Sequence, residues 1–298
     1  MTLRGKFEHS HIVVKIILWL GCTLLFTTLA LLTISFFNNP SAINTLKWIQ
    51  MIQSTSMFLL PPLLMAYLWN KQPLQWLRFT NPKANHLFAA AIIMLVALPG
   101  INLLSHWNQQ INLPTFLEPL EQWMKTQEEQ AALITEQFLS VNTISGLIIN
   151  LLLMALLPAV SEELTFRGII QRLLEPKTPS TTPHIAIWCS AILFSAIHMQ
   201  FYGFIPRMLM GALFGYMLIW TCSIWVPMLM HFLNNGTAVT LYYLSYRKGW
   251  DIEIVDNIGK NDTLWLGVVS LIITLVGIYI FRRSTTMSSA SSRMSNGN

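Results

Sequence analysis

Apolar runs of membrane-crossing length recur along this chain, separated by short polar clusters. They fall near residues 13–37, 46–69, 86–106, 142–173, 184–201, 204–222, 224–246 and 263–282. A hydrocarbon core about 30 Å thick requires about 20 apolar residues at a helical rise of about 1.5 Å each. The pattern therefore predicts an all-α fold, a polytopic membrane helix bundle of about eight transmembrane helices. Segment 114–139 breaks the rhythm. It carries Glu118, Glu121, Lys125, Glu128 and Glu129 among apolar Leu117, Leu120, Trp123 and Met124. That alternation reads as an amphipathic helix on the outer surface or capping the bundle. Residues 284–298 are serine-rich without apolar periodicity and are expected to be disordered. Three regions result: an N-terminal three-span region with the amphipathic segment (1–140), a helix bundle holding the unusual polar residues (141–283), and the tail (284–298).

Composition strengthens this picture. The chain is 53% hydrophobic and 10% charged, against about 25% charged in soluble domains, so lipid must cover much of its surface. The net charge of +5 does not point to nucleic acid, because no basic cluster is interleaved with aromatics. The cations sit instead at the ends of apolar runs. With the N-terminus in the cytoplasm, eleven Lys and Arg fall inside and six outside, leaving Arg167 alone within a span. Both termini are thus expected to be cytoplasmic. The first run is too long for a signal-peptide core of about 7–15 residues and reads as a retained helix. Cys22, Cys189 and Cys222 all lie in apolar runs without metal-type spacing and read as small buried hydrophobes.

Three spans carry polar groups that are costly in lipid: Glu162, Glu163 and Arg167 in one, His198 in another, His231 and Asn235 in a third. Ionisable residues in such places are functional-site candidates. Residues four apart share a helix face. Glu163 and Arg167 can therefore form an ion pair, while Glu162, rotated by about 100° on the helix, faces elsewhere. His231 and Asn235 share a face, and Phe194 forms an aromatic wall one turn from His198. At 1.5 Å per residue the polar groups lie about 11–21 Å from the proposed cytoplasmic ends, in one layer. Hydrolysis of an amide needs a general base near neutral pKa and donors for the oxyanion. Glu162 with His198 suits water activation; His231 with Asn235 suits oxyanion stabilisation. Glu162, His198 and His231 also match a catalytic zinc site, so the residues leave open Zn2+ or no metal at all.

With Glu162-Glu163-x-x-x-Arg167, Phe194-x-x-x-His198 and His231-x-x-x-Asn235 in this order, the sequence resembles the type II CAAX-prenyl-protease and bacteriocin-processing family (CPBP intramembrane proteases, also called Abi). The motifs occupy residues 150–240. The resemblance implies endoproteolysis of a peptide bond in or near the membrane, by a metalloprotease or a glutamate-dependent mechanism. Eukaryotic relatives remove the terminal tripeptide of prenylated CAAX proteins; bacterial ones are associated with bacteriocin immunity or peptide maturation. The expected partners are membrane lipids and a membrane-associated or lipidated peptide or protein, and the expected home is a bacterial plasma membrane. Two other classes compete: an ion- or proton-coupled transporter, whose acids would line a path across the membrane, and an immunity protein that binds a peptide without cleaving it.

Overall fold

The protein is described by a computed structural model covering residues 3–39, 41–176, 183–251 and 257–295, with side chains up to Thr286. Lys177, one of the eleven inner cations counted above, lies outside the described residues, as do residues 296–298. Among the described residues there is no strand. Helices follow one another as α1 (Ile12–Ile34), α2 (Ile43–Trp69), α3 (Ala84–Gln109), α4 (Glu118–Leu139), α5 (Ile144–Leu174), α6 (His184–Ala196), α7 (Phe204–Thr221), α8 (Trp225–Lys248) and α9 (Leu264–Ser295). Six of them, α1, α2, α3, α5, α7 and α9, are long and apolar enough to cross a membrane. The chain is an all-α integral membrane protein.

The two remaining predicted runs depart from the sequence pattern in informative ways. Helix α6 has only 13 residues and ends at Ala196, short of a full crossing. Helix α8 is 24 residues long, but His231, Asn234 and Asn235 interrupt its apolar character. Helix α8 carries His231 into the bundle interior, and His198 follows directly on the end of α6. The expected surface helix is present as α4, whose last residues Phe138 and Leu139 are buried. Helix α9 continues past Arg283 as far as Ser295. Hydroxyls there bond back onto the helix: Ser284 donates to Phe281 O and Thr286 to Arg282 O, at 2.8 and 2.9 Å. Such bonds let serine and threonine extend a helix without apolar packing.

Prolines inside the helices set how the bundle is joined. A proline cannot donate to the carbonyl four residues back, and side chains of neighbouring helices take up the carbonyls so freed. Pro62 leaves Phe58 O open, and Thr165 of α5 donates to it at 2.8 Å. Pro158 leaves Met154 O open, and Asn235 of α8 donates to it at 3.1 Å. Next to Pro99, Ser270 of α9 is inserted into the ladder of α3. It accepts from Gly100 N at 3.0 Å and donates to Val96 O at 2.5 Å. Each proline thus marks a point where two helices are pinned by a directed bond.

Helix α5 also widens into π-helical turns over Leu151–Leu156 and Leu164–Gln171, on either side of the paired glutamates. Such turns are rare and recur at functional sites. Around this helix, one apolar cluster joins Met65 and Trp69 of α2 to Leu164 and Ile169 of α5, Leu218 of α7 and Met228 of α8. A second joins Met94 of α3 to Phe214, Met230 and Phe281. Gly211 and Gly215 of α7 serve close packing within the chain. A β-carbon on Gly215 would stand 2.6 Å from Gln171 Oε1 and 2.9 Å from Ile187.

Candidate active site

The charged core of the site is an ion pair sealed from solvent. Arg167 and Glu163 side chains are both 0% exposed, and Arg167 Nη1 lies 2.9 Å from Glu163 Oε1. The other arm of Arg167 donates to Gly211 O at 2.8 Å. Its guanidinium lies over the rings of Phe194 and Phe214, at 4.7 and 5.4 Å from their centres. The i,i+4 spacing read from the sequence is therefore met by a real contact that ties α5 to α7.

Glu163 does a second job. His231 Nδ1 stands 3.0 Å from the same Oε1 atom. A carboxylate already accepting from arginine can only accept from the imidazole as well, so the His231 proton sits on Nδ1. His198 is held alike: its Nδ1 donates to Phe194 O at 2.8 Å, because a backbone carbonyl can only accept. In its neutral form each ring then carries its lone pair on Nε2. Both lone pairs face one atom. Glu162 Oε2 lies 3.9 Å from His198 Nε2 and 3.9 Å from His231 Nε2, and that oxygen is buried without a hydrogen-bond partner. Phe194 stands edge-on to both rings, with centroids 5.2 and 5.8 Å away, and Phe214 stacks on His231 at 5.6 Å.

These groups line a cavity of about 480 Å³. Asn235 spends one amide N–H on Met154 O, which leaves the second to the cavity, and its Oδ1 accepts from Asn234 at 3.0 Å. Residues 163 and 167 stay behind this wall, whereas Glu162, Phe194, His198, His231 and Asn235 are all on it. The structure thus brings every expected site residue to one place.

Further groups line the cavity. Asn234 lies off the His231 face by helical angle, yet the cavity wraps far enough to include it. Gln50 of α2 donates to Leu153 O at 3.3 Å, one residue from the carbonyl that Asn235 takes, and its own Oε1 has no partner. Arg207, counted above as an outer-face topology charge, also lines the cavity. A cation just inside an apolar run was the signal that could have marked it. Thr135 and Leu139 of α4 complete the wall, so the amphipathic helix covers part of the site.

The donor set was tested against zinc. One carboxylate and two imidazole lone pairs, each ring fixed through Nδ1 by a carbonyl or carboxylate, have the chemistry of a catalytic zinc shell. Among the described residues no three such side chains already stand at metal-binding separation. The 3.9 Å gaps exceed by about 0.5 Å the ligand–ligand distance that tetrahedral bonds of about 2.0–2.1 Å produce. The residues fit zinc in type, and a small side-chain contraction would complete the match.

Comparison with known proteins agrees with the motifs. Residues 144–237 match the family model described as type II CAAX prenyl endopeptidase Rce1-like. The uncharacterized protein YpbD of Bacillus subtilis (strain 168) is 31% identical over 91 residues. That alignment covers 29% of this chain and 42% of YpbD, well under two thirds of either. No solved structure matches.

Proposed function

We propose that the protein is an intramembrane endopeptidase that hydrolyses a peptide bond in a membrane-associated or lipidated peptide or protein, with its catalytic unit in residues 141–283. One observation carries the reading: the unpartnered Glu162 Oε2 faces two imidazole lone pairs at 3.9 Å in a polar cavity of about 480 Å³. A water molecule bridging Glu162 and His198 would donate a hydrogen bond to each and turn its own lone pair to the substrate. As its oxygen bonds to the peptide carbonyl carbon, one water proton passes to Glu162. The oxyanion that forms accepts from the free N–H of Asn235. His231 joins it as a donor only once its Nε2 is protonated, a state that the Glu163 carboxylate behind Nδ1 supports. Glu162 then hands its proton to the leaving nitrogen, and the C–N bond breaks to give a carboxylic acid and an amine.

Zinc, where bound, would be held by Glu162, His198 and His231 and would supply a Lewis acid that lowers the pKa of a bound water. The acids gather at one point, Glu162 and Glu163 side by side, which favours hydrolysis over a transport path. A bacterial plasma membrane with both termini in the cytoplasm remains the setting this reading adopts.

The test uses purified protein in liposomes with a quenched fluorogenic membrane peptide. Glu162→Gln is expected to lower cleavage by about 10²- to 10⁴-fold while the protein stays folded. Wild-type rates in the Glu162→Gln protein would remove the proposal. Cleavage surviving exhaustive chelation, with zinc absent by elemental analysis, would assign the glutamate mechanism. Peptide binding by the wild type without cleavage would favour the immunity-type binder.

A further inference from the structure

Arg207 is the cation that the site chemistry leaves over. Glu163 and Arg167 satisfy each other, and Glu162 faces the imidazoles. Among the described residues no carboxylate lies within 4.0 Å of Arg207. A half-buried guanidinium in a membrane-spanning helix is costly unless something uses it.

Its setting is built. The chain leaves α6 through His198, turns at Met199 with a left-handed φ of 54°, and runs through the short helical turn Phe201–Gly203 into α7. This reversal lays Gln200 against Arg207. Arg207 Nη2 donates to Gln200 Oε1 at 2.7 Å and Nη1 to Gln200 O at 3.3 Å. Gly203 allows the close approach, since a β-carbon there would stand 3.2 Å from Arg207 Nη2. Gln200, Gly203 and Arg207 line the same cavity as Glu162 and His198. The guanidinium has five N–H donors in a fixed fork, so these two contacts hold it in place and leave donors over. No nitrogen of Arg207 is both sealed off and unpartnered. Glu128 of α4 comes to the same corner, but its Oε2 accepts from Tyr202 N at 3.4 Å.

Resting on the endopeptidase reading, we infer that Arg207 is a substrate-binding residue that takes a carboxylate of the peptide, so the preferred substrates carry a negative charge close to the scissile bond. The carboxylate comes either from the chain terminus or from an acidic side chain. The same fork is the preferred geometry for bidentate carboxylate recognition. With the carboxylate held by Arg207, the neighbouring backbone extends along the wall toward Glu162 and Asn235.

The experiment compares peptides of one sequence with a free terminal carboxylate, with a terminal amide, and with each Asp or Glu replaced by Asn or Gln. Cleavage is measured for wild type, Arg207→Gln and Arg207→Lys, each verified as folded by its unfolding midpoint. Loss of the recognised carboxylate is expected to lower wild-type kcat/KM by about 10- to 100-fold. The terminal-amide and side-chain arms identify its source. Arg207→Gln should lose as much on the charged peptide and become indifferent to the change, with partial recovery in Arg207→Lys. Equal cleavage of all peptides by wild type, or an equal loss on all peptides in Arg207→Gln, would overturn the inference; the latter would mark a purely electrostatic effect on Glu162. Affinity of the same peptides for the Glu162→Gln protein, with and without Arg207→Gln, needs no turnover. Absence of cleavage with charge-dependent binding through Arg207 would sink the endopeptidase reading alone, and charge-independent binding would sink this one.

Discussion

Replacing Arg167 with methionine gives the sharpest test of how the site is held. The ion pair to Glu163 is 2.9 Å long between two side chains that are 0% exposed. The substitution also removes the donor to Gly211 O and the cation over Phe194 and Phe214. Above all it leaves Glu163 as a buried charge whose remaining partner is the neutral His231. Breaking a buried pair from one side costs about 3–5 kcal/mol, whereas removing both charges is often close to neutral. Arg167→Met is therefore expected to lose about 3–5 kcal/mol, and Arg167→Met with Glu163→Gln to regain about 2–3 kcal/mol of it through their coupling. Cleavage should not return in the double variant, because Glu163 no longer supports the protonated form of His231. The assay is reversible unfolding in mixed micelles at increasing SDS fraction, followed by tryptophan fluorescence. A loss under about 1 kcal/mol in Arg167→Met, or strictly additive losses in the double variant, would refute buried charge compensation as the organising force.

Asn235→Ala should cut kcat by about 10²- to 10³-fold, the scale of one lost oxyanion donor, in single-turnover cleavage of the fluorogenic peptide. Ser270→Ala strands Gly100 N and Val96 O beside Pro99 and should cost about 1–3 kcal/mol, read in the same micellar unfolding assay. Gly215→Val should cost about 1–3 kcal/mol from overpacking, because its β-carbon would meet Gln171 and Ile187; an unchanged midpoint would mean that α7 slides freely.

The helical segments were legible from apolar runs because lipid imposes one length scale on each crossing. The Glu163–Arg167 contact was legible because it is local to one helix. The pairing of Glu163 with His231 was not, since it spans 68 positions and depends on how α5 and α8 meet. That contact also fixes which ring nitrogen of His231 is turned to Glu162: Nδ1 is taken by Glu163, and Nε2 lies 3.9 Å from Glu162 Oε2. Helix α6 was read as a full span because Ile197 continues its apolar run, while the turn at Met199 and the early helix end depend on packing against α7. The place of Arg207 on the cavity wall was hidden for a related reason. A charge at a helix start looks like a topology signal until the turn before it is seen to fold back. The cysteines differ as well: Cys22 and Cys189 are only half-buried and Cys222 is exposed at the end of α7, where it takes a left-handed φ of 54°.

The brevity of α6 has a consequence for the surrounding lipid. Its 13 residues span about 20 Å at helical rise, some 10 Å less than a hydrocarbon core of about 30 Å. A bilayer meeting so short a helix would thin beside it, close to where His198 follows its end. Headgroups and water would then be drawn inward at that spot, a route by which the proposed hydrolysis would gain its second reactant.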